Sequence, residues 1–245
     1  MKRLLIVNAD DLGYDPAVNR GILEAMRGGL VGSATLMVNT PHAEEAANAA
    51  QGLAVGLHLN LARFAPVGSD FPDTLLANGH FSEARASELP PEVVEKEALA
   101  QLARLEALLG RPPTHLDSHK HLHRRPNILE GVAAAAWRRG LPVRAVDEAM
   151  RVFLRGRKIP TTDHFVGDAG AEAYWTLERL RQILEALPPS GTVELMCHPG
   201  YAPISLTSGY AAQREVELKT FTHPAARQLV ERLGFKLGDF SMLVR

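Results

Sequence analysis

Residues 2–13 read Lys2-Arg3-Leu4-Leu5-Ile6-Val7-Asn8-Ala9-Asp10-Asp11-Leu12-Gly13. A short apolar run with β-branched members and no polar alternation predicts a strand buried on both faces, as in a parallel sheet. Its polar end at Asn8, Asp10 and Asp11 lies where function usually gathers in such sheets. Asp15 and Pro16 follow as an N-cap and a first helical position. Val18, Ile22, Leu23 and Met26 then share one helical face before Gly28-Gly29 ends the turn. Strand followed directly by amphipathic helix is a βα unit.

The same alternation continues outward. Val31–Val38 reads as strand, Pro41–Gln51 as an Ala-rich helix and Leu53–Leu59 as a third strand. From about 60 to 90 the rhythm breaks, with Pro66, Gly68, Pro72, Gly79 and Pro90 in weakly periodic sequence. That stretch is expected to be an irregular insertion, a candidate substrate lid. Helix Pro91–Gly110, strand Pro113–Ser118, helix Pro126–Gly140 and strand Leu141–Val146 come next. Helix Ala169–Leu187, strand Gly191–Met196 and helices Ala211–Lys219 and Pro224–Gly234 complete the pattern. About seven strands alternating with helices define an α/β protein, closed barrel or open sheet, read as one domain over 1–245. No Gly-x-Gly-x-x-Gly follows the first strand and no Gly-Lys-Ser/Thr motif occurs, so the usual nucleotide reasons for an open sheet are missing.

Composition narrows the partners. The 27 basic and 28 acidic residues nearly cancel, and no basic stripe interleaved with aromatics is present, which argues against nucleic acid. No apolar run approaches the roughly 20 residues of a membrane helix. Cys197 is the one cysteine, so neither an intrachain disulfide nor a cysteine zinc cluster is expected, and a reducing cytoplasm is the default setting. A homodimer is compatible with the sequence, although no patch demands one.

Chemistry concentrates at strand ends. In Asp10-Asp11 one carboxylate is suited to hold a metal while the other accepts a proton, although such a pair also suits a polar turn. His58, within Gly56-Leu57-His58-Leu59, interrupts an apolar strand and needs a partner there, either a metal or a backbone carbonyl. His115-Leu116-Asp117-Ser118-His119-Lys120-His121-Leu122-His123 places four of the ten histidines in one short run, a density that points to metal or proton chemistry. Asp117, His119 and His121 share a face if the run is extended, and His119 and His123 if it is helical. Cys197-His198-Pro199-Gly200-Tyr201 adds a histidine after a late strand. Neighbours on a strand face apart, which disfavours a Cys197–His198 nucleophilic pair. Neither Gly-x-Ser-x-Gly nor His-Glu-x-x-His is present. Metal-activated water is therefore the best-supported chemistry.

Together, Asn8–Gly13, Gly56–Leu59, Thr114–His123 and Cys197–Tyr201 resemble the YdjC-like carbohydrate deacetylases in order and spacing over nearly the whole chain. The resemblance implies a distorted βα (TIM-like) barrel similar to the polysaccharide deacetylases. It implies one divalent metal held by Asp11, His58 and His119, with Asp10 as general base. It also implies magnesium, whereas two imidazole ligands favour zinc, nickel or cobalt. Lys120 departs from the family pattern, which commonly has a further histidine there. Roles for His115, Asp117, His121 and His123 are left open.

The expected reaction is hydrolysis of the acetamide of an N-acetylated sugar or short oligosaccharide. His198 is the candidate acid for the leaving amine, and Arg144, at the end of another strand, the candidate partner that keeps Asp10 ionised. A phosphoesterase on the same constellation is disfavoured by the scarcity of basic residues beside the motifs. A non-catalytic metal- or sugar-binding protein is disfavoured by Asp10 adjoining the metal residues.

Overall fold

A computed structural model describes residues 3–244. The apolar opening run forms β1 (Arg3–Leu12), which crosses the centre of the molecule. The succession is α1 (Pro16–Gly28), β2 (Ser33–Leu36), α2 (Ala43–Ala49), β3 (Val55–Leu59), α3 (Pro91–Leu109), β4 (Leu116–Ser118) and α4 (Pro126–Arg139). It continues with α5 (Glu148–Gly156), β5 (His164–Val166), α6 (Leu177–Ala186), β6 (Thr192–Cys197), α7 (Ala212–Thr222), α8 (Pro224–Arg232) and β7 (Phe235–Gly238). All pairings are parallel, in the order β4-β3-β2-β1-β6-β5.

β1 is long enough to serve two strands on one edge. Its first half pairs with β7, Arg3 opposite Phe235 through Ile6 opposite Gly238, and its second half pairs with β2 from Asn8 opposite Ser33. β6 occupies the other edge from Leu4 to Ala9. The parallel strands carry helices on their outer faces, which is why β1, β2 and β3 are almost wholly buried.

Leu141–Val146, expected as a strand, is not a regular one. It makes a single bridge, Val143 beside Leu116, while the Val143 N–H reaches the Pro160 carbonyl just before β5. Pro142 and Pro160 supply carbonyls but no N–H donors, so the ladder cannot be completed there. This irregular segment spans the gap between the β4 and β5 ends of the curled sheet. The strand count is made up instead by β5 and β7, both too short for a periodic signal. α6 starts at Leu177, not Ala169, because the Thr176 side chain accepts from the Arg179 N–H and fixes the N-terminus there. α5 was not expected, although Asp147 caps the Met150 N–H in the same way.

Helix ends follow the local chemistry. The Asp15 carboxylate caps the Ala17 N–H with Pro16 next to it, and Gly110 and Gly140 take left-handed conformations at the ends of α3 and α4. The stretch from 60 to 90 contains two short 3-10 turns, Asp73–Leu75 and Glu83–Glu88, and one isolated antiparallel bridge between Ala77 and His80. Among the described residues no helix is long and apolar enough to cross a membrane.

Candidate metal centre

The carboxyl ends of β1, β3, β4 and β6 converge on one cavity of about 420 Å³, bordered by Asp10, Asp11, His58, His119, His198 and Arg214. In a regular strand Asp10 and Asp11 would face opposite sides of the sheet. Here Asp11 has φ 70°, and the register with β2 slips between Ala9 and Leu12, so β1 bulges at the acidic pair. Both carboxylates thereby enter the same buried site.

One carboxylate meets the imidazoles. Asp11 Oδ1 lies 3.3 Å from His58 Nε2 and 3.0 Å from His119 Nδ1, and those two nitrogens are 3.3 Å apart. Burial opposes ionisation of Asp11, but Arg214 and the two histidines hold it well below the usual carboxylate range. The other carboxylate meets a cation. Arg144 binds Asp10 with two hydrogen bonds of 2.7 Å, and Asn8 Nδ2 donates to the same group at 3.0 Å. Against the cost of burial, Arg144 keeps the Asp10 carboxyl far below its ordinary value.

Arg144 is fully buried, where an arginine is ordinarily exposed, because three carboxylates surround it. Besides Asp10 it contacts Asp117 at 2.8 Å and Glu194 at 2.7 Å. Burial pushes Glu194 up to about 7. Asp117 in turn accepts from Thr35 Oγ1 and lies 2.7 Å from His58 Nδ1. It therefore fixes the ring so that Nε2 faces Asp11 and His119, the carboxylate–histidine arrangement that orients metal-binding imidazoles. Burial alone would lower the His58 pKa, yet Asp117, Asp11 and Asp10 raise it to about 10. A metal would take the place of the proton on His58, and with that ring neutral Asp10, Asp11 and Asp117 outnumber Arg144 and Arg214, leaving negative charge that suits a cation. Asp11, His58 and His119 each offer one ligand atom, all within 4.8 Å of one another, and Asp10, His58 and Asp117 form a second such group. One carboxylate and two imidazoles, with the rest of the cavity open, fit a divalent metal that keeps positions for water and substrate.

The remaining histidines separate by role. His115 is a core residue stacked on Phe240 with ring centroids 3.9 Å apart. An added Cβ at Gly56 would lie 2.4 Å from its Nδ1, so glycine in the Gly56-Leu57-His58 motif makes room for this ring. His123 is buried, its Nδ1 2.6 Å from Ser118 Oγ. Burial drives the pKa of both well below the ordinary histidine value. His121 borders the cavity, and it and Lys120 are consecutive left-handed residues, with φ 50° and 56°. The run after His119 is therefore neither extended nor regularly helical, and the turn separates the histidine at the ligand cluster from the one returning to Ser118.

His198 follows β6 and is half-buried. Its backbone N–H donates to Glu217 Oε2 at 2.6 Å, while its Nδ1 is buried without a partner. Burial and the nearby Arg214 lower its pKa to about 4 against the pull of Asp11 and Asp10. The turn behind it packs on α1, where a Cβ on Gly21 would lie 2.5 Å from Gly200 Cα. Cys197 is fully buried and its thiol is pushed well above the ordinary range, which leaves no nucleophile there. Glu217, Arg214 and Tyr210 escaped the sequence reading, since α7 carries the first two and the loop before it carries Tyr210, without any motif. Arg63, Lys120 and Arg214 bring basic groups to the cavity that are scattered along the chain. Lys120 is paired with Glu83, Arg214 with Asp11, and Arg63 with the Tyr14 hydroxyl.

The fold is similar in architecture to that of polysaccharide deacetylases. The catalytic domain of a peptidoglycan N-acetylglucosamine deacetylase from Eubacterium rectale ATCC 33656 matches with a TM-score of 0.55 at 11% identity. The match covers 98% of this chain and 89% of that one, a likeness of fold alone. An Enterococcus faecalis V583 crystal structure described as a cellobiose-phosphate cleavage protein matches with a TM-score of 0.87 at 26% identity, covering both chains completely. The YdjC-like protein family model matches residues 4–232, and the chain belongs to that family. Its relatives include a carbohydrate deacetylase of Geobacillus stearothermophilus, 40% identical over 241 residues and 95% of each chain. A chitooligosaccharide deacetylase of Serratia marcescens is 38% identical over 257 residues, covering 99% of this chain and 100% of that protein.

Proposed function

We propose that the protein is a metal-dependent hydrolase that removes acetyl groups from N-acetylated sugars, with short chitooligosaccharides as the substrate class. Full-length similarity to enzymes so named supports the substrate. The observation that carries the reaction is the bulge in β1, which delivers Asp11 to His58 and His119 and Asp10 to Arg144 within one cavity.

Asp11, His58 and His119 would hold the divalent ion. When bound, such an ion supplies Lewis-acid polarisation and makes water acidic enough to act as a nucleophile near neutral pH. Asp10 would accept a proton from the attacking water, and its bidentate contact with Arg144 keeps it ionised and oriented. His198, neutral at rest, passes the proton that Asp10 took from water on to the departing sugar amine, which leaves Asp10 ionised again. Water's hydroxyl ends on the acetyl carbon and its proton on the amine, which balances the cleavage of the C–N bond. Tyr14, Met196 and Tyr210 line the cavity and offer apolar surface to a sugar ring. The two imidazoles favour zinc, nickel or cobalt, and the family resemblance favours magnesium. The reading includes a cytoplasmic setting, which subcellular fractionation would test.

Acetate release from N-acetylglucosamine oligomers, with added metals and after chelation, tests the reaction. Asp11→Ala, His58→Ala and His119→Ala are expected to lose bound metal in elemental analysis. Asp10→Asn is expected to keep metal and lose at least about a hundredfold in turnover. Full metal occupancy in His58→Ala would refute the ligand assignment.

A further inference from the structure

Arg214 enters the cavity from α7 and is 2% exposed. Its guanidinium is fixed at two points. Nη2 donates to Asp11 Oδ2 at 2.6 Å, and Nε donates to the Tyr210 carbonyl at 2.9 Å. Asp11 Oδ2 is thereby occupied by the arginine, leaving Oδ1 as the oxygen turned toward His58 and His119. Nη1 is different. It is buried and has no hydrogen-bond partner, although its residue borders the cavity with Tyr14, His198 and Tyr210.

A buried guanidinium nitrogen without an acceptor costs stability, so a native structure that retains one calls for a physical reason. The ring of Tyr14 lies 5.8 Å and that of Tyr210 5.9 Å from the guanidinium carbon, so aromatic walls flank the cation. His198 Nδ1 is the other buried unpartnered atom of this corner. Nη1 itself is covered, so an acceptor reaches it only as the cavity wall gives way, and it then meets a fixed, charged donor beside the histidine assigned to the leaving amine.

We infer that Arg214 is a substrate-binding residue whose Nη1 donates to a hydroxyl oxygen of the sugar ring that bears the acetamide, while Nη2 positions Asp11. The inference rests on the proposed deacetylase reading and deepens it. Arg214 distinguishes an acetylated sugar from a simple acetamide, because only the sugar offers a hydroxyl acceptor next to the reacting group. A lysine in its place keeps the positive charge beside Asp11. One ammonium cannot also reproduce the rigid fork that reaches Tyr210 and the cavity.

The test is calorimetric binding of N,N′-diacetylchitobiose and of its monodeoxy analogues to the metal-free protein and, with Asp10→Asn blocking turnover, to the metal-loaded protein, which separates recognition from turnover. Wild type is expected to lose about tenfold or more in affinity for one deoxy analogue, as for loss of a charge-assisted hydrogen bond. Arg214→Lys is expected to bind the parent sugar about as weakly and to ignore that deoxygenation. Arg214→Gln serves as a second variant if the lysine protein fails to melt like wild type. Equal affinity of wild type and both variants for the parent sugar overturns the role of Arg214. So does a wild type indifferent to every deoxygenation. Failure of the protein with Arg214 intact to bind any acetylated sugar in either metal state refutes the deacetylase reading, and this inference with it.

Discussion

His123 illustrates how side chains of one type divide between chemistry and packing. Its ring is buried against Ser118, and burial holds it neutral by lowering its pKa well below the ordinary value near 6.5. The folded form therefore resists a proton that the unfolded chain accepts. The contribution of His123 is complete above about pH 6.5 and fades as pH falls below it. In urea unfolding, the penalty of His123→Gln should be smaller by about 1.4 kcal/mol at about pH 5.5 than at about pH 7.5. A penalty independent of pH would show that this imidazole titrates in the folded protein. Asp10 and Asp11, by contrast, owe their roles to a single backbone angle, φ 70° at Asp11, which overrides the alternation of a strand.

At the level of elements, β3 carries both a candidate ligand and the space for its neighbour. Leu57 pairs with Leu116 and His58 with Asp117, so the parallel register itself sets the carboxylate beside the imidazole. The close approach of His115 to Gly56 holds that pairing tight. Gly56→Ala is expected to cost about 1–3 kcal/mol in urea or thermal unfolding, the scale of overpacking in a filled core. A neutral result would mean that β3 and β4 separate easily. The strand expected at Leu141–Val146 shows the limit of apolar patterning. Its composition is that of a strand, but two prolines without N–H groups, Pro142 and Pro160, reduce it to a bridge. It still places Arg144 where the expected role needs it, beside Asp10.

At the scale of the whole molecule, the site gathers β1, β3 and β4, and α7 adds Arg214 against Asp11. A ligand bound across these elements stabilises the folded chain by linkage. Metal at about one hundred times its dissociation constant should raise the unfolding free energy by about 2.7 kcal/mol, seen as a higher melting temperature reversed by chelation. Asp117→Asn should weaken metal binding by about 10–100-fold and require correspondingly more metal for the same shift. Melting that ignores added metal would argue against ligands drawn from separate strands.

Local sequence determined the α/β alternation, the Asp15 cap of α1 and the candidates Asp10, Asp11, His58, His119, Arg144 and His198, because periodicity, capping and motif spacing are properties of neighbouring residues. The tertiary structure alone decided that adjacent aspartates share a cavity, that Asp117 orients His58, and that Arg214 holds Asp11. Those outcomes depend on strand register, a bulge and the approach of a distant helix. They lie in contacts between residues far apart in the chain, where short-range pattern carries no signal.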